Sequence, residues 1–599
     1  MILNRVRRSA GLVRRAAREP ARRGRLGWDL LAAWRPVPPP AGTAALGRLP
    51  DDTAVAAPRR ELRAVVACEP TLAAALAFEW CQTPVSPSTW GEALRAAPDV
   101  VLLTTEALRL GWDAAAVRAL VTAAGATGGV VLVWDTADVD CVAALAPCLT
   151  DVTSVWTVDP RRRDAWRAAL PGAGVEVLPH GVQPRLYAPT GGDGSVRAAE
   201  VGLLVAGPTP PGEEVQPALK AAQALGLAVY GKKADVVAAY TRALTSRIAG
   251  RADERTLRAA YRSASAWLVP SVRPDDPLPA QVLQLAASRT PFVTGRNDAV
   301  AAAFGDLAPG SSAGDAAEEA RSLYAYVRQP ELRDRTGVLL QRAVLSAHTV
   351  GHRLDALLAG TRFATPRGAR TVSAVVPTNR PGQLDHVLSF VGRQDHPAVQ
   401  LVLVLHGIEE EASLAARAKD AGIDELVVVS APAELTLGAC MNLGVDAADG
   451  ELIAKMDDDN LYGRAYLTDL VHAFDYTDAG VVGKLAHYVH LTASGAVLLR
   501  GAEHENRYVR LVQGGSMLMD GDLARQARFQ DVPRAVDTTF LDKVGAQGVR
   551  VYSADRFNYV SVRRADPSSH TWPVSDLEII LTRDARLCFY GDPSAHVDV

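Results

Sequence analysis

The amino-acid sequence predicts an α/β protein of several domains, and three observations predict it. Short β-branched apolar runs recur along the chain, alanine-rich stretches of helical character separate them, and 599 residues exceed what one hydrophobic core serves. Strand–helix alternation of this kind implies parallel sheets covered on both faces.

The first set of runs is 63–67, 100–103 and 130–134, followed by Val175-Glu176-Val177-Leu178 leading into Pro179-His180-Gly181. After a Gly-rich break near 191–194, a second set begins at 201–205 and continues at 227–231 and 266–270. Two such sheets in tandem predict a bilobed module, with lobes over 60–190 and 195–365, whose ligands sit beyond the strand C-termini. Residues 330–365 read as helix and linker. Leu178-Pro179-His180-Gly181-Val182 with Leu186-Tyr187-Ala188-Pro189 resembles the segment joining the Rossmann-type lobes of GT-B glycosyltransferases. The stretches 257–264 and 281–294 resemble the second lobe of spore-maturation-type (group 1) enzymes. That resemblance implies a glutamate for the donor ribose, and Gln284 stands in its place. An amide is a weaker partner for ribose hydroxyls than a carboxylate. The expectation for this module is an accessory role or a second transferase.

Ahead of it, residues 1–45 form a different region. Ten arginines lie within 1–36, opposed only by Glu19 and Asp29, and Ile2, Val6, Ala10, Val13 and Ala17 recur at helical spacing. Leu26, Trp28, Leu30, Leu31 and Trp34 follow, then the proline-rich linker 36–40. This pattern suits a basic amphipathic helix on an anionic membrane surface, and equally a solvated arm or a partner-binding helix.

A third α/β pattern covers 370–599. Its first strand, Val372-Ser373-Ala374-Val375-Val376, ends in Pro377-Thr378-Asn379-Arg380, which places polar groups at the strand's C-terminal edge, where open sheets bind nucleotides. The same composition also makes an ordinary turn. Runs at 400–405 and 426–429 follow. Then comes Leu437-Gly438-Ala439-Cys440-Met441-Asn442-Leu443-Gly444, whose small residues let a helix approach a sheet closely. Leu452-Ile453-Ala454-Lys455-Met456 delivers Asp457-Asp458-Asp459. Three adjacent carboxylates repel, and a hard divalent cation relieves the repulsion while sharing substrate phosphates. An exposed acidic loop is the plainer alternative.

The elements "SAVVPTNRP" and "LGACMNLGVDAADGELIAKMDDDN" resemble family 2 glycosyltransferases with a GT-A fold, over about 370–575. The resemblance implies an inverting enzyme. Pro377, Thr378, Asn379, Arg380, Asn442, Asp457 and Asp458 would then serve the nucleotide-sugar donor, and Asp457 and Asp459 would hold Mn2+ or Mg2+, with His570 completing the metal site or serving only as structure. Gln513-Gly514-Gly515 resembles the acceptor loop. Asp537 corresponds to the catalytic base, with a helix N-cap as its alternative role and Asp542 as the alternative carboxylate. His406 stands where relatives hold the base with an aspartate. Arg563 and Arg564 suit phosphates or the surface.

The sequence thus predicts a GT-B-like pair of lobes followed by a GT-A domain. The predicted function is sugar transfer to a glycan or cell-surface glycopolymer at the inner face of the plasma membrane. Alternatives are a nucleotidyltransferase, which would show a basic glycine-rich phosphate loop, and a non-catalytic glycan-binding scaffold. The net charge of −3 gives no argument for nucleic acid, and six scattered cysteines without CxxC spacing suit reduced thiols in the cytoplasm. No apolar run approaches the roughly 20 residues that span a bilayer.

Overall fold

The computed structural model describes residues 58–599 apart from 138–139, 150–151, 191–199, 207–214, 241, 272, 313–314, 366–367, 533 and 566–574. The basic arm and His570 therefore lie outside the described residues. The described chain divides into two compact units. One runs to Ala369 and includes Val471–Asp478; the other comprises Arg370–Leu470 and Ala479–Asp598.

In the N-terminal unit the strands are β1 (Arg59–Ala67), β2 (Trp80–Pro84), β3 (Val100–Thr104), β4 (Val130–Asp135), β5 (Ser154–Thr157) and β6 (Gly174–Val177). They form one parallel sheet in the order β2-β1-β3-β4-β5-β6. β3 shows why its run is continuously apolar. Val100 and Leu102 enter one core cluster, Val101 and Leu103 the other, so both faces are covered. Each such side chain contributes about 1.5–3 kcal/mol on burial. A second parallel sheet, ordered β11-β10-β7-β8-β9, is built from β7 (Val201–Val205), β8 (Leu227–Gly231), β9 (Ile248–Gly250), β10 (Ala266–Val269) and β11 (Phe292–Thr294). Helix α1 (Ala280–Ala287) carries Gln284, and the stretch expected as helix and linker holds α2 (Pro330–Ala347) and α3 (Val350–Leu358).

The C-terminal unit contains β12 (Val372–Thr378), β13 (Val399–His406), β14 (Glu425–Ala431), β15 (Leu452–Met456), β16 (Leu461–Tyr462), β17 (Val481–Gly483) and β18 (His487–Leu491). It continues with β19 (Ala496–Arg500), β20 (Arg507–Val509), β21 (Ser516–Asp520), β22 (Val551–Ser553), β23 (Tyr559–Arg563) and β24 (Ala585–Tyr590). One mixed sheet has the order β14-β13-β12-β15-β21-β17-β22-β20, and a second has β16-β23-β18-β19-β24. In the first, β13 and β15 flank β12 in parallel, so the strand order reverses between β12 and β15. Open sheets bind ligands at such a switch point. Thr378 and Asp457 stand at the two strand ends there. The four residues 457–460 then pass directly from β15 in the first sheet to β16 in the second.

Helix α4 (Leu437–Asp446) starts at Thr436, whose hydroxyl accepts from the Ala439 amide. A Cβ on Gly444 would lie 2.3 Å from a Val375 methyl, so the small residues do bring this helix against β12. Helix α5 (Val536–Ala546) is preceded by Ala535 in the left-handed region, at φ 59°, as its N-cap. Asp537 is therefore inside the first turn and makes no N-cap hydrogen bond; the capping role considered for it does not hold.

Candidate active site

Lys455 is the fourth residue of β15 and the one charged residue in that otherwise apolar strand, and its side chain is 2% exposed. A buried ammonium is tolerated only with partners. Its Nζ donates to Asp457 Oδ1 at 2.7 Å and to the Gly514 carbonyl at 3.2 Å, and lies 3.4 Å from Asp537 Oδ1. Burial pulls its proton affinity down, but Asp457 and Asp537 outweigh burial and hold it above the usual range.

The loop 513–515 closes over this group. An added Cβ on Gly514 would fall 1.9 Å from Asp537 Oδ2, and one on Gly515 would fall 2.4 Å from Asp457 Oδ2. Glycine at both positions is what lets the backbone pass between the two carboxylates. The buried Tyr462 hydroxyl accepts from the Asp457 amide and donates to the Gly515 carbonyl, both at 2.7 Å, which fixes the loop to the triplet. Gln513 joins the same turn through its backbone, its carbonyl accepting from the Ser516 hydroxyl at 2.8 Å.

Asp537 retains 30% side-chain exposure and Asp457 35%. Burial raises the Asp537 pKa, Lys455 opposes that rise and Asp457 adds to it; the net shift is upward. Asp542, by contrast, forms a bidentate pair with Arg510 at 2.9 and 2.8 Å, which occupies it at the surface.

The rest of the triplet faces the end of β12. The Thr378 hydroxyl donates to Asp458 Oδ2 at 2.5 Å. Arg380 donates from Nε to the same oxygen at 3.0 Å, from Nη2 to Oδ1, and from Nη1 to Asp459 Oδ2 at 2.9 Å. Burial lowers the affinity of Arg380 for its proton, but the two aspartates outweigh burial and raise it. Asp459 is raised by burial, lowered by Arg380 and raised again by Asp457 and Asp458, with a net upward shift. Gln383, with its amide oriented by its partners, donates to the Asp458 carbonyl at 3.0 Å and accepts from Arg564 at 2.9 Å. Arg563 feels Asp459 electrostatically, although burial dominates and lowers its pKa. Both arginines thus belong to the neighbourhood of the triplet.

The structure brings together Thr378, Arg380, Asp457, Asp458, Asp459, Gly514, Gly515 and Asp537. Pro377 and the exposed Asn379 lie at the end of β12 beside them. Asn442 does not join: its amide donates to the Phe529 carbonyl and accepts from the Phe529 amide, both at 2.9 Å, so its expected donor contact gives way to a backbone tie. His406, at the end of β13, shares a hydrogen bond of 3.2 Å with the Ala433 carbonyl. Sequence reading passed over Lys455 as strand, and missed Asn460, Tyr462 and His386. His386 bonds the Asn460 carbonyl at 2.8 Å, and Asn460 in turn reaches Asp457 at 3.4 Å. A lone lysine in an apolar strand was the available signal, because such a charge demands an acid nearby.

Among the described residues, no three metal-ligating side chains converge. The donor chemistry nevertheless fits a hard divalent ion. Asp457 and Asp459 offer carboxylate oxygens, burial first and then the neighbouring aspartates raise the Asp459 pKa, and a diphosphate would supply further oxygens.

With this geometry in place, the comparisons with known proteins take on meaning. Residues 373–501 match the model of glycosyl transferase family 2, and residues 213–359 match a model described as glycosyl transferase-like. Two segments of the chain thus match glycosyltransferase models, and both lie in α/β folds. No curated protein matches it. Among solved structures, a mannosyltransferase from Pyrobaculum calidifontis with GDP-Man and Mn2+ is 16% identical at a TM-score of 0.26, covering 33% of this chain and 58% of that one. S. aureus TarS 1-349 with UDP-GlcNAc is 17% identical at 0.28, covering 32% of this chain and 59% of that one. The chain thus spans less than two thirds of the length of either. No helix among the described residues is long and apolar enough to cross a membrane.

Proposed function

We propose that residues 370–599 transfer a sugar, with inversion, from a nucleotide-sugar donor to a glycan or cell-surface glycopolymer. The observation that carries this reading is the Asp457–Lys455–Asp537 group, closed over by Gly514 and Gly515 at the sheet's switch point. One carboxylate lies on the donor side with the triplet, and another, partly exposed, lies in the first turn of α5 against Gly514.

In this reading Asp537 takes the proton of the acceptor hydroxyl. The freed oxygen bonds to the anomeric carbon as the bond to the nucleotide diphosphate breaks, and the diphosphate leaves with the electron pair. A single positioned carboxylate suffices for such base catalysis, contributing about 10²–10⁴-fold. Asp457 and Asp459 would hold Mn2+ or Mg2+, which supplies positive charge for the leaving group. Arg380 sets the position of Asp458 and Asp459, and Thr378 ties Asp458 to β12. Arg563 and Arg564 add cationic charge suited to phosphate oxygens.

The N-terminal unit acts as an accessory module in this reading. Gln284 is half-buried, and its amide oxygen accepts from the Tyr261 hydroxyl at 3.3 Å, so the position expected to hold a ribose is engaged within the protein. The arm over 1–36 would hold the enzyme peripherally on an anionic membrane; sedimentation with anionic liposomes should require residues 1–36.

Nucleotide release from UDP-, GDP- and CDP-sugars, with a crude glycan acceptor and with or without manganese, tests the transferase reading. Turnover by wild type and its loss in Asp457→Ala and Asp537→Ala are expected. Identical behaviour of all three proteins with every donor would remove it.

A further inference from the structure

Lys455 holds three separate segments at one point: Asp457 at the end of β15, the Gly514 carbonyl in the acceptor loop, and Asp537 in the first turn of α5. Another buried lysine in the same unit shows what an architectural pair looks like. Lys484 and Asp555 are 0% and 2% exposed, and the ammonium bonds that aspartate's side chain and carbonyl, at 3.0 and 2.9 Å. Lys455 is as deeply buried, yet both its carboxylates reach solvent and both lie in the transfer site. An apolar residue would serve a strand interior at lower cost, since ion burial costs several kcal/mol before pairing. The lysine is thus spent on fixing two groups that face substrate.

We propose that Lys455 is a positioning residue for sugar transfer, locking the acceptor-side Asp537 to the donor-side Asp457 so that both ends of the site keep one geometry. The proposal rests on reading residues 370–599 as a transferase. Misplacement of a reacting group by about 1 Å costs on the order of 10²-fold in rate.

The test is a double-mutant cycle in the full-length chain, read by nucleotide release with a donor that wild type turns over. Lys455→Met should lower kcat about 100-fold while moving the donor KM less than about threefold, and Lys455→Arg should recover about tenfold of the loss. In an Asp537→Asn background, Lys455→Met should cost less than about threefold, because the tie is already broken. Equal losses in both backgrounds, or an unchanged kcat in Lys455→Met, overturn the proposal. Thermal melts report folding. If the Met variant does not fold, Lys455→Gln, which removes the charge but keeps a polar donor, enters the same cycle. Failure of the Met, Gln and Arg variants all to fold assigns the lysine to architecture and equally overturns the proposal. Absence of turnover by wild type with every donor removes the transferase reading instead, and is distinguishable because the cycle compares variants only as ratios to an active wild type.

Discussion

Asp135 in the N-terminal unit and Asp537 in the C-terminal unit are both acids set into α/β cores, and they are treated in opposite ways. Asp135 is 0% exposed and saturated: it accepts from the Thr105, Thr157 and Trp166 side chains at 2.8–2.9 Å and from Arg162 at 3.0 Å. Asp537 has one cation at 3.4 Å, reaches solvent, and carries a raised pKa. A fully satisfied buried network specifies architecture, whereas an under-satisfied acid at a cleft holds capacity for chemistry. On the proposed reading, the difference separates an acid that holds shape from an acid that takes part in the reaction.

The sharpest test of that contrast exchanges carboxylate for amide in each. Asp537→Asn should lower kcat by about 10²–10⁴-fold with little change in melting temperature. Asp135→Asn should do the reverse. It takes from the buried Arg162 the nearer of its two acids, leaving Asp159 at 3.6 Å, and should cost up to about 3–5 kcal/mol by chemical denaturation, while any folded fraction turns over at the wild-type rate. Equal kinetic losses in both variants would break the comparison.

Gly514→Ala comes next. Its methyl would strike Asp537, so kcat should fall about 10²-fold by nucleotide release, with the donor KM nearly unchanged. A pH series sharpens the assignment further. The base works as a carboxylate, and its folded pKa lies above the ordinary 3.8, with burial the largest cause. Activity should therefore fall away on the acid side at a higher pH than for an ordinary aspartate. The stability sign runs the other way. A raised acid contributes stability fully below its unfolded pKa and loses it as pH rises through the folded value. Activity and stability should thus change in opposite directions across that window, and melts run beside the kinetics check it. The smallest effect belongs to Asp542→Asn. Removing its half-exposed pair with Arg510 should cost about 0.2–1 kcal/mol and leave kcat within about threefold, since this acid lies outside the transfer group.

Much of this organisation was legible in the chain. A strand run such as 100–103 is visible because a parallel strand buried on both faces must be continuously apolar. The spacing of small residues in α4 is legible for a similar reason, since Gly444 is required wherever a helix backbone rests against Val375. Asp457–Asp459, Gly514–Gly515 and Asp537 stand out by type and order. Asn442 misled because an amide in a ligand-rich stretch reads alike whether it meets a substrate or the backbone of Phe529, which lies 87 residues away.

By itself, then, the sequence determined the α/β class, the strand runs and the candidate acids, because periodicity and residue chemistry are local properties. Only the tertiary structure decided how those acids are shared out. Arg380 takes Asp458 and Asp459, Lys455 takes Asp457 and Asp537, and Asp542 leaves the site for Arg510. Arg380 meets Asp458 and Asp459 across 78 and 79 residues and Arg510 meets Asp542 across 32, and no local pattern encodes which cation a carboxylate will meet.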